Sequence, residues 1–139
     1  MDVCNAFVNA ATPSKIYTLY PKGFERPGYI LRLIKALYGL KGSPRAWYQH
    51  LRDFLVRLGM APTEMDVCLF VMFDKSVLVL IVAVYVGDLI ITGISNWVDW
   101  FIVEIKKEFL MDDLGQPKRI LGINVEFADD HITLHQASY

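Results

Sequence analysis

Two aspartates are the side chains of this sequence best placed to hold a metal ion. Asp2 opens the chain's first apolar segment, and Asp88 follows Gly87 between two very apolar segments. Carboxylates that bind magnesium for phosphoryl chemistry usually lie at strand ends or tight turns, where oxygens from distant segments converge. The alternative is that Asp88 only forms a turn, because Gly87-Asp88 suits a two-residue hairpin loop in which glycine takes the positive φ of a type II′ turn. The spacing alone favours the turn and leaves metal binding open.

The other acidic and histidine pairs are weaker candidates. Asp112-Asp113 and Asp129-Asp130 lie beside a glycine or inside a predicted turn, where solvated acids are commoner than metal ligands. His131 and His135 are four positions apart on a predicted strand, which separates their Cα atoms by about 13 Å, beyond the reach of one metal ion. We therefore expect no metal site at these pairs.

Composition restricts the class of protein. The 139 residues are 54% hydrophobic and 21% charged, which is too apolar for disorder and sufficient for one domain or a part of one. The formal charge of -1 gives no general attraction to polyanions. Any contact with nucleic acid therefore has to come from a local basic face.

Cysteine content and hydropathy predict an intracellular protein that is not secreted. Cys4 and Cys68 are too few for a disulfide framework, and free thiols fit a reducing compartment. The first residues lack the basic start and apolar core of a secretory signal. The longest apolar run, residues 77–86, is far shorter than the roughly 20 residues that a membrane helix needs. We expect this run to be a buried strand, and no membrane partner.

The clearest predicted element is a helix. Ser43 is its expected cap, Pro44 suits the first helical position, and Gly59 suits the end. Its apolar stripe consists of Trp47, Leu51, Phe54, Leu55 and Leu58. The opposite side is polar and basic, which is typical of a solvated face and leaves a phosphate-facing role as the alternative.

A second helix is predicted over about residues 96–109. Ser95 or Asn96 is its expected cap, and Asp99 is expected in its first turn. Its apolar residues recur at helical spacing, so we expect it to pack on a sheet.

Strand patterns occupy most of the remaining chain. Three antiparallel strands are predicted over residues 68–73, 77–86 and 89–92, and a closing hairpin over 120–127 and 132–134. Before the first helix, the sequence predicts only short elements in 2–19, a loop in 21–28, and a strand or short helix in 30–40. Helices mixed with hairpin-connected strands predict an α+β fold.

Several segments, in order, resemble one known family. Leu37-Tyr38-Gly39-Leu40-Lys41-Gly42-Ser43-Pro44-Arg45-Ala46-Trp47-Tyr48 is similar to the loop-and-helix signature of the reverse transcriptase of copia-type retrotransposons. Met1-Asp2-Val3 is similar to that family's first catalytic motif, and Tyr85-Val86-Gly87-Asp88 to its Tyr-x-Asp-Asp turn. Leu121-Gly122-Ile123 is similar to its primer-grip hairpin, and the likeness covers nearly all of the chain.

The resemblance implies a fold and a domain organisation. The expected fold is the palm of a right-hand polymerase, an antiparallel sheet backed by helices, with part of the fingers. Residues 1–139 would form a partial reverse transcriptase domain without thumb or ribonuclease H. The expected partners are an RNA or DNA template-primer, a deoxynucleoside triphosphate and the remainder of a Pol polyprotein.

The resemblance also implies roles for individual residues. Asp2 and Asp88 would be the catalytic residues and the ligands of two Mg²⁺ ions that carry out nucleotidyl transfer. The nucleotide-binding residues would be Phe7, Tyr38 and Gly39. The primer-grip residues would be Leu121, Gly122 and Ile123.

One position departs from the family pattern. Gly87 stands where the Tyr-x-Asp-Asp turn has its first aspartate, so a metal ligand is lost. If that ligand contributed about 4 kcal/mol to the transition state, its loss would slow the reaction about a thousandfold. The expectation is therefore an impaired RNA-directed DNA polymerase fragment. The alternative is a non-catalytic remnant that at most binds nucleic acid or a partner, through Lys35, Lys41, Arg45 and Arg52.

Overall fold

The computed structural model describes residues 1–137, so the last two positions of the expected domain, 138 and 139, lie outside the described residues. Two α-helices are present in this range, α1 at Ser43–Arg57 and α2 at Ser95–Glu108, with a 3₁₀ helix at Ala6–Asn9. The strands of residues 1–137 are β1 Asp2–Val3, β2 Ala11–Thr18, β3 Leu31–Lys35, β4 Ala61–Pro62, β5 Leu69–Asp74, β6 Val77–Tyr85, β7 Asp88–Gly93, β8 Met111–Asp112, β9 Arg119–Ile120, β10 Ile123–Phe127 and β11 Ile132–His135.

The strands form three antiparallel sheets. The largest has six strands in the order β4-β5-β6-β7-β1-β8, so the first strand of the chain lies inside the sheet, between β7 and β8. Strands β2 and β3 form a separate ribbon, and β9, β10 and β11 form a third sheet. The combination of antiparallel sheets and helices confirms the predicted α+β class.

Helix α1 follows its predicted apolar stripe. Trp47, Leu51, Phe54 and Leu55 are buried, and Gly59 takes φ 92° just after the helix ends, where a left-handed residue closes the last turn. The predicted cap is wrong: Gly42 is the cap residue, and Ser43 is already helical. The Ser43 hydroxyl instead donates a hydrogen bond to the carbonyl of Leu37 at 2.6 Å, which ties the helix to the loop before it.

Helix α2 begins one residue earlier than predicted. Ile94 is its cap residue, so Ser95 is helical and neither Ser95 nor Asn96 caps the helix through its side chain. Asp99 consequently lies beyond the first turn, contrary to the prediction. Both helices bury their apolar faces in one core, and Phe109 joins them because its ring meets those of Trp47 and Phe54 edge-on, at 5.3 Å in each case.

The prediction of only short elements in residues 2–19 is wrong in part. The short strand β1 and the 3₁₀ helix agree with it, but β2 is eight residues long and pairs with β3. The pairing of β2 with β3 is irregular, because its register shifts between Ala11 and Ile16. The polar residues and the proline in this part of the sequence led to the prediction of short elements. The segment 30–40 resolves as strand β3, and 21–28 is a loop as predicted.

The turn between β6 and β7 differs from the prediction by one residue. Tyr85 pairs with Asp88, so Val86 and Gly87 are the central residues and Asp88 already belongs to β7. Val86, and not Gly87, takes the left-handed conformation, with φ 55°. The β10–β11 hairpin is confirmed, with β9 added beside it. Neither helix within residues 1–137 has the length and apolarity to cross a bilayer.

Candidate active site

Three aspartates lie side by side at one end of the main sheet, on β7, β1 and the edge strand β8. Asp2 in β1 is directly opposite Asp88 in β7 and, on its other side, directly opposite Asp112 in β8. Residues directly opposite each other in antiparallel strands share a face, with Cβ atoms about 5 Å apart. The three carboxylates therefore form a row on one face of the sheet, which we call the aspartate row.

Position 87 adjoins this row. The amide of Val3 donates a hydrogen bond to the carbonyl of Gly87 at 2.8 Å, which holds the turn against β1. A Cβ atom at position 87 would lie 2.9 Å from Asp2 Oδ1 and 3.2 Å from the Val3 carbonyl oxygen. The Asp2 carboxylate would therefore have to shift, and the Val3 carbonyl to give slightly, before a side chain at position 87 could lie beside Asp2. Glycine supplies no ligand at this position.

The described residues do not fit a two-ion metal centre. Within residues 1–137, no three His, Cys, Asp or Glu side chains converge closely enough to hold a metal ion. Asp2 and Asp88 are neighbours, but they provide two carboxylates where a pair of hard cations needs more oxygen ligands. The three carboxylates of the aspartate row lie on three neighbouring strands and do not surround a common metal position.

Helix α1 holds the turn that precedes Asp88. The indole Nε1 of Trp47 donates a hydrogen bond to the Val86 carbonyl oxygen at 2.6 Å, and the Trp47 side chain is buried. Val86 is β-branched with positive φ, a conformation that costs about 1–3 kcal/mol and persists only where the surroundings enforce it. The helix signature around Trp47 thus contributes directly to the geometry of the turn.

Cys4 responds to the negative charge of the aspartate row. Its thiol donates a hydrogen bond to Asp112 Oδ2 at 3.6 Å. Partial desolvation, followed by the charges of Asp112 and Asp2, raises the pKa of the Cys4 thiol above its usual value. The thiol therefore stays protonated near neutral pH and adds no further anion to the row.

The structure brings two of the three expected nucleotide-binding residues together. The rings of Phe7 and Tyr38 are in contact, with centroids 4.4 Å apart. Phe7 is buried beneath Tyr38 and lines a small apolar cavity with Trp47 and Val86, whereas Tyr38 is exposed. Gly39 takes φ 89° in open surroundings, a backbone conformation that favours glycine.

The expected primer-grip residues form a turn between β9 and β10. Leu121 and Gly122 both have positive φ, 49° and 84°, and Ile123 begins β10. Leu121 and Asp88 both line one open cavity of about 910 Å³. Among residues 1–137, Gly122 and Ile123 do not line this cavity.

Asp112 is the residue of the row that sequence reasoning missed. The sequence groups it with Asp113 as a solvated loop acid, and for Asp113 this interpretation fits. The Asp113 carboxylate accepts a hydrogen bond from the Gly115 amide, and this bond and Lys106 lower its pKa. Asp112 differs because β8 pairs with β1, more than a hundred positions earlier in the chain. The apolar residues before Asp112 were the only indication of a strand.

The fold and the row define an α+β domain with an acidic site at one end of its main sheet. The chain belongs to the reverse transcriptase (RNA-dependent DNA polymerase) family, whose model matches residues 1–139. This confirms the resemblance to copia-type retrotransposons, because the relatives are transposon proteins.

The relatives are much longer than this chain. The chain is 34% identical over 147 aligned positions to the retrovirus-related Pol polyprotein from transposon RE1 of Arabidopsis thaliana, covering 100% of the chain and 10% of that protein. It is 33% identical to the Pol polyprotein from transposon TNT 1-94 of Nicotiana tabacum, covering 90% of the chain and 10% of that protein. It is also 33% identical to the putative transposon Ty5-1 protein of Saccharomyces cerevisiae, of which it covers 46%. No solved structure matches the chain significantly.

Proposed function

We propose that this chain is a segment of the RNA-directed DNA polymerase of a copia-type Pol polyprotein, and that nucleotidyl transfer is impaired in it. The segment would be the palm with part of the fingers, acting inside the cell with the remainder of the polyprotein. The observation that supports this is the placement of position 87, whose Cβ would lie 2.9 Å from Asp2 Oδ1 while Asp2 pairs with Asp88.

The impairment follows from the missing carboxylate. Two-ion nucleotidyl transfer, with Mg²⁺ as the expected cation, needs more oxygen ligands than Asp2 and Asp88 supply. Each lost 1.36 kcal/mol of transition-state stabilisation slows a reaction tenfold. A ligand worth about 4 kcal/mol would therefore account for about a thousandfold loss of rate. The hairpin itself tolerates glycine, because the left-handed residue of the turn is Val86.

The remaining site residues have binding roles in this proposal. The exposed ring of Tyr38, supported from below by Phe7, would offer a flat surface for an incoming nucleotide beside the open backbone of Gly39. The turn at Leu121 and Gly122, continued by Ile123, would support the end of a primer near Asp88. A template-primer and a deoxynucleoside triphosphate would be the substrates.

Primer extension on an RNA template tests the proposal. Residues 1–139 would replace the matching segment of the RE1 Pol polyprotein, which supplies the rest of the enzyme. Three forms would be compared in magnesium buffer: the unaltered segment, Gly87→Asp and Gly87→Ala. The alanine variant is the matched control, because it adds the same Cβ without a carboxylate.

We expect Gly87→Asp to extend the primer at least about a hundredfold faster than the other two forms. Adding Asp88→Asn to Gly87→Asp should remove the gain, since the pair of carboxylates is broken again. Equal extension by Gly87→Asp and Gly87→Ala would contradict the proposal. Full activity of the unaltered segment would contradict the impairment.

A second candidate function is a remnant that binds nucleic acid without catalysis. It is favoured by Lys35, Lys41 and Arg45, which are exposed and form no ion pair within residues 1–137. Arg52 does not belong to this group, because its guanidinium lies 3.6 Å from the Asp53 carboxylate. Binding that is sensitive to salt and independent of magnesium would support this function.

A further inference from the structure

The β10–β11 hairpin carries acids and no lysine or arginine. Residues 123–136, which we call the acidic hairpin, have three acids and therefore a formal charge of -3. The acids are Glu126, Asp129 and Asp130. Two of them contact a histidine of the hairpin, which adds positive charge only when it is protonated. Asp129 forms no ion pair in the part of the chain that the structure describes. Near neutral pH this surface therefore repels polyanions and attracts cations.

The acidic hairpin also exposes apolar side chains beside a free strand edge. Val125 lies directly opposite Leu134, and Phe127 directly opposite Ile132, so the four side chains share one face. Ile132 and Leu134 are 60% and 64% exposed. Strand β11 pairs only with β10 among residues 1–137, so the other edge of β11 has no neighbouring strand. An exposed, apolar edge strand is a surface to which another strand can be added.

The β2–β3 ribbon has the opposite charge. Residues 11–35, which we call the basic ribbon, contain five cations and one acid, a formal charge of +4. The cations are all exposed, and they are Lys15, Lys22, Arg26, Arg32 and Lys35. No ion pair joins any of them to a carboxylate within the described residues. Phe24 and Ile34 are each 74% exposed, and β2 and β3 pair only with each other in the range 1–137.

The two surfaces do not neutralise each other within one copy of the chain. The basic ribbon packs against α1 and the 3₁₀ helix, whereas the acidic hairpin packs against β9. No ion pair connects them anywhere in residues 1–137. A single copy therefore presents both an uncompensated acidic surface and an uncompensated basic surface, each with exposed apolar side chains and a free strand edge.

We propose that two copies of this chain associate, with the acidic hairpin of each copy docked on the basic ribbon of the other. In a two-fold dimer this contact occurs twice, because each copy has one surface of each kind. Opposite formal charges attract across the contact, exposed apolar side chains leave water, and β11 can pair with an edge of the ribbon. A polyanion could neutralise the basic ribbon but would be repelled by the acidic hairpin, whereas a second copy neutralises both.

This inference goes beyond the proposed polymerase chemistry, because the contact involves neither Asp2, Asp88 nor position 87. Association is measured in EDTA without nucleotides, whereas primer extension requires both metal and nucleotide. Either proposal can therefore fail while the other holds.

Sedimentation velocity of the nuclease-treated 139-residue chain, over about 1–200 μM at low salt, measures the association. The acidic hairpin is reversed by Asp129→Lys with Asp130→Lys, and the basic ribbon by Lys22→Glu with Arg26→Glu. Both pairs of substitutions lie in loops between strands, so the strands themselves are unchanged. Circular dichroism confirms that each variant is folded.

The matched control reverses two exposed acids outside both surfaces. Glu64→Lys with Asp74→Lys changes the net charge by the same amount as the reversal of the acidic hairpin. An equimolar mixture of the two test variants is the decisive sample. In a mixed dimer one contact is unaltered and the other has both charges reversed, so each contact again joins opposite charges.

We expect the mass of the unaltered chain to rise with concentration from 15.9 kDa toward twice that value. Each test variant alone should dimerise at least about tenfold more weakly, and the control should stay within about twofold of the unaltered chain. The mixture should dimerise within about threefold of the unaltered chain. Added salt should weaken the dimer of the unaltered chain, because it screens the opposite charges.

Four results would overturn the proposal. They are a monomeric unaltered chain across the whole concentration range, equal weakening by the control and the test variants, a mixture that associates no better than either variant alone, and a mass that keeps growing beyond two copies. The last result would mean that the surfaces join copies in an open chain and not in a two-fold dimer.

Discussion

The hydrogen bond from Trp47 to Val86 should be worth a measurable part of the stability of the chain. Trp47→Phe keeps an aromatic ring in the core but removes the indole N–H that reaches the Val86 carbonyl at 2.6 Å. Loss of the bond costs about 1–1.5 kcal/mol, because the carbonyl is only partly accessible to water. The smaller ring leaves a gap beside Phe109 that costs about another 1–2 kcal/mol. We therefore expect the free energy of unfolding to fall by about 2–3.5 kcal/mol.

Urea unfolding followed by circular dichroism measures this change. With an m value of about 2 kcal/mol per molar, the midpoint should fall by about 1–1.8 M. Trp100→Phe is the matched control, since it removes the same atoms from a half-buried ring on α2 and should cost less than about 1 kcal/mol. The amide of Val3, bonded to Gly87, should exchange faster in Trp47→Phe only. Equal destabilisation by the two variants, with unchanged Val3 exchange, would refute the role of Trp47 in holding the turn.

Two further predictions concern the sheet and its acidic row. Gly93→Ala should lower the free energy of unfolding by about 2–3 kcal/mol in the same urea assay, because a Cβ atom at position 93 would collide with the Val79 carbonyl of the neighbouring strand. An unchanged free energy of unfolding would contradict this packing. Asp112→Asn should lower the raised pKa of the Cys4 thiol. Because the thiolate is the reactive form, iodoacetamide should then alkylate Cys4 at least about twofold faster at mildly alkaline pH, measured in a Cys68→Ser background. An unchanged rate would mean that Asp112 does not act on the thiol.

Patterns with local causes are the part of the fold that could be predicted from the sequence. The apolar stripe through Trp47 and Leu51 identifies α1, and Gly59 marks its end, because helical spacing and left-handed closure depend only on nearby residues. The strands β5, β6 and β7 follow from their β-branched and apolar runs in the same way. The cap of α1 was predicted wrongly because Ser43 bonds to the Leu37 carbonyl of the preceding loop, a contact that its own sequence neighbourhood does not reveal.

Features that depend on distant pairing could not be predicted. The strand β8 exists because Asp112 and Met111 pair with β1, and β2 is held as a strand by its pairing with β3. The turn at Val86-Gly87 was placed one residue too late, because glycine is the usual left-handed residue of a hairpin, whereas here Val86 occupies that position beneath Trp47. The aspartate row was therefore only partly visible in the sequence, through Asp2 and Asp88.

Titration of the chain with Mn²⁺ by calorimetry tests most directly whether position 87 is the missing ligand of the aspartate row. The unaltered chain, Gly87→Asp and Gly87→Ala would be compared under identical conditions, with Gly87→Asp/Asp88→Asn as a further control. The account predicts at least about tenfold tighter binding by Gly87→Asp than by the unaltered chain, equivalent to about 1.4 kcal/mol or more, and no gain for Gly87→Ala or the double variant. Equal affinity of the unaltered chain and Gly87→Asp would contradict it.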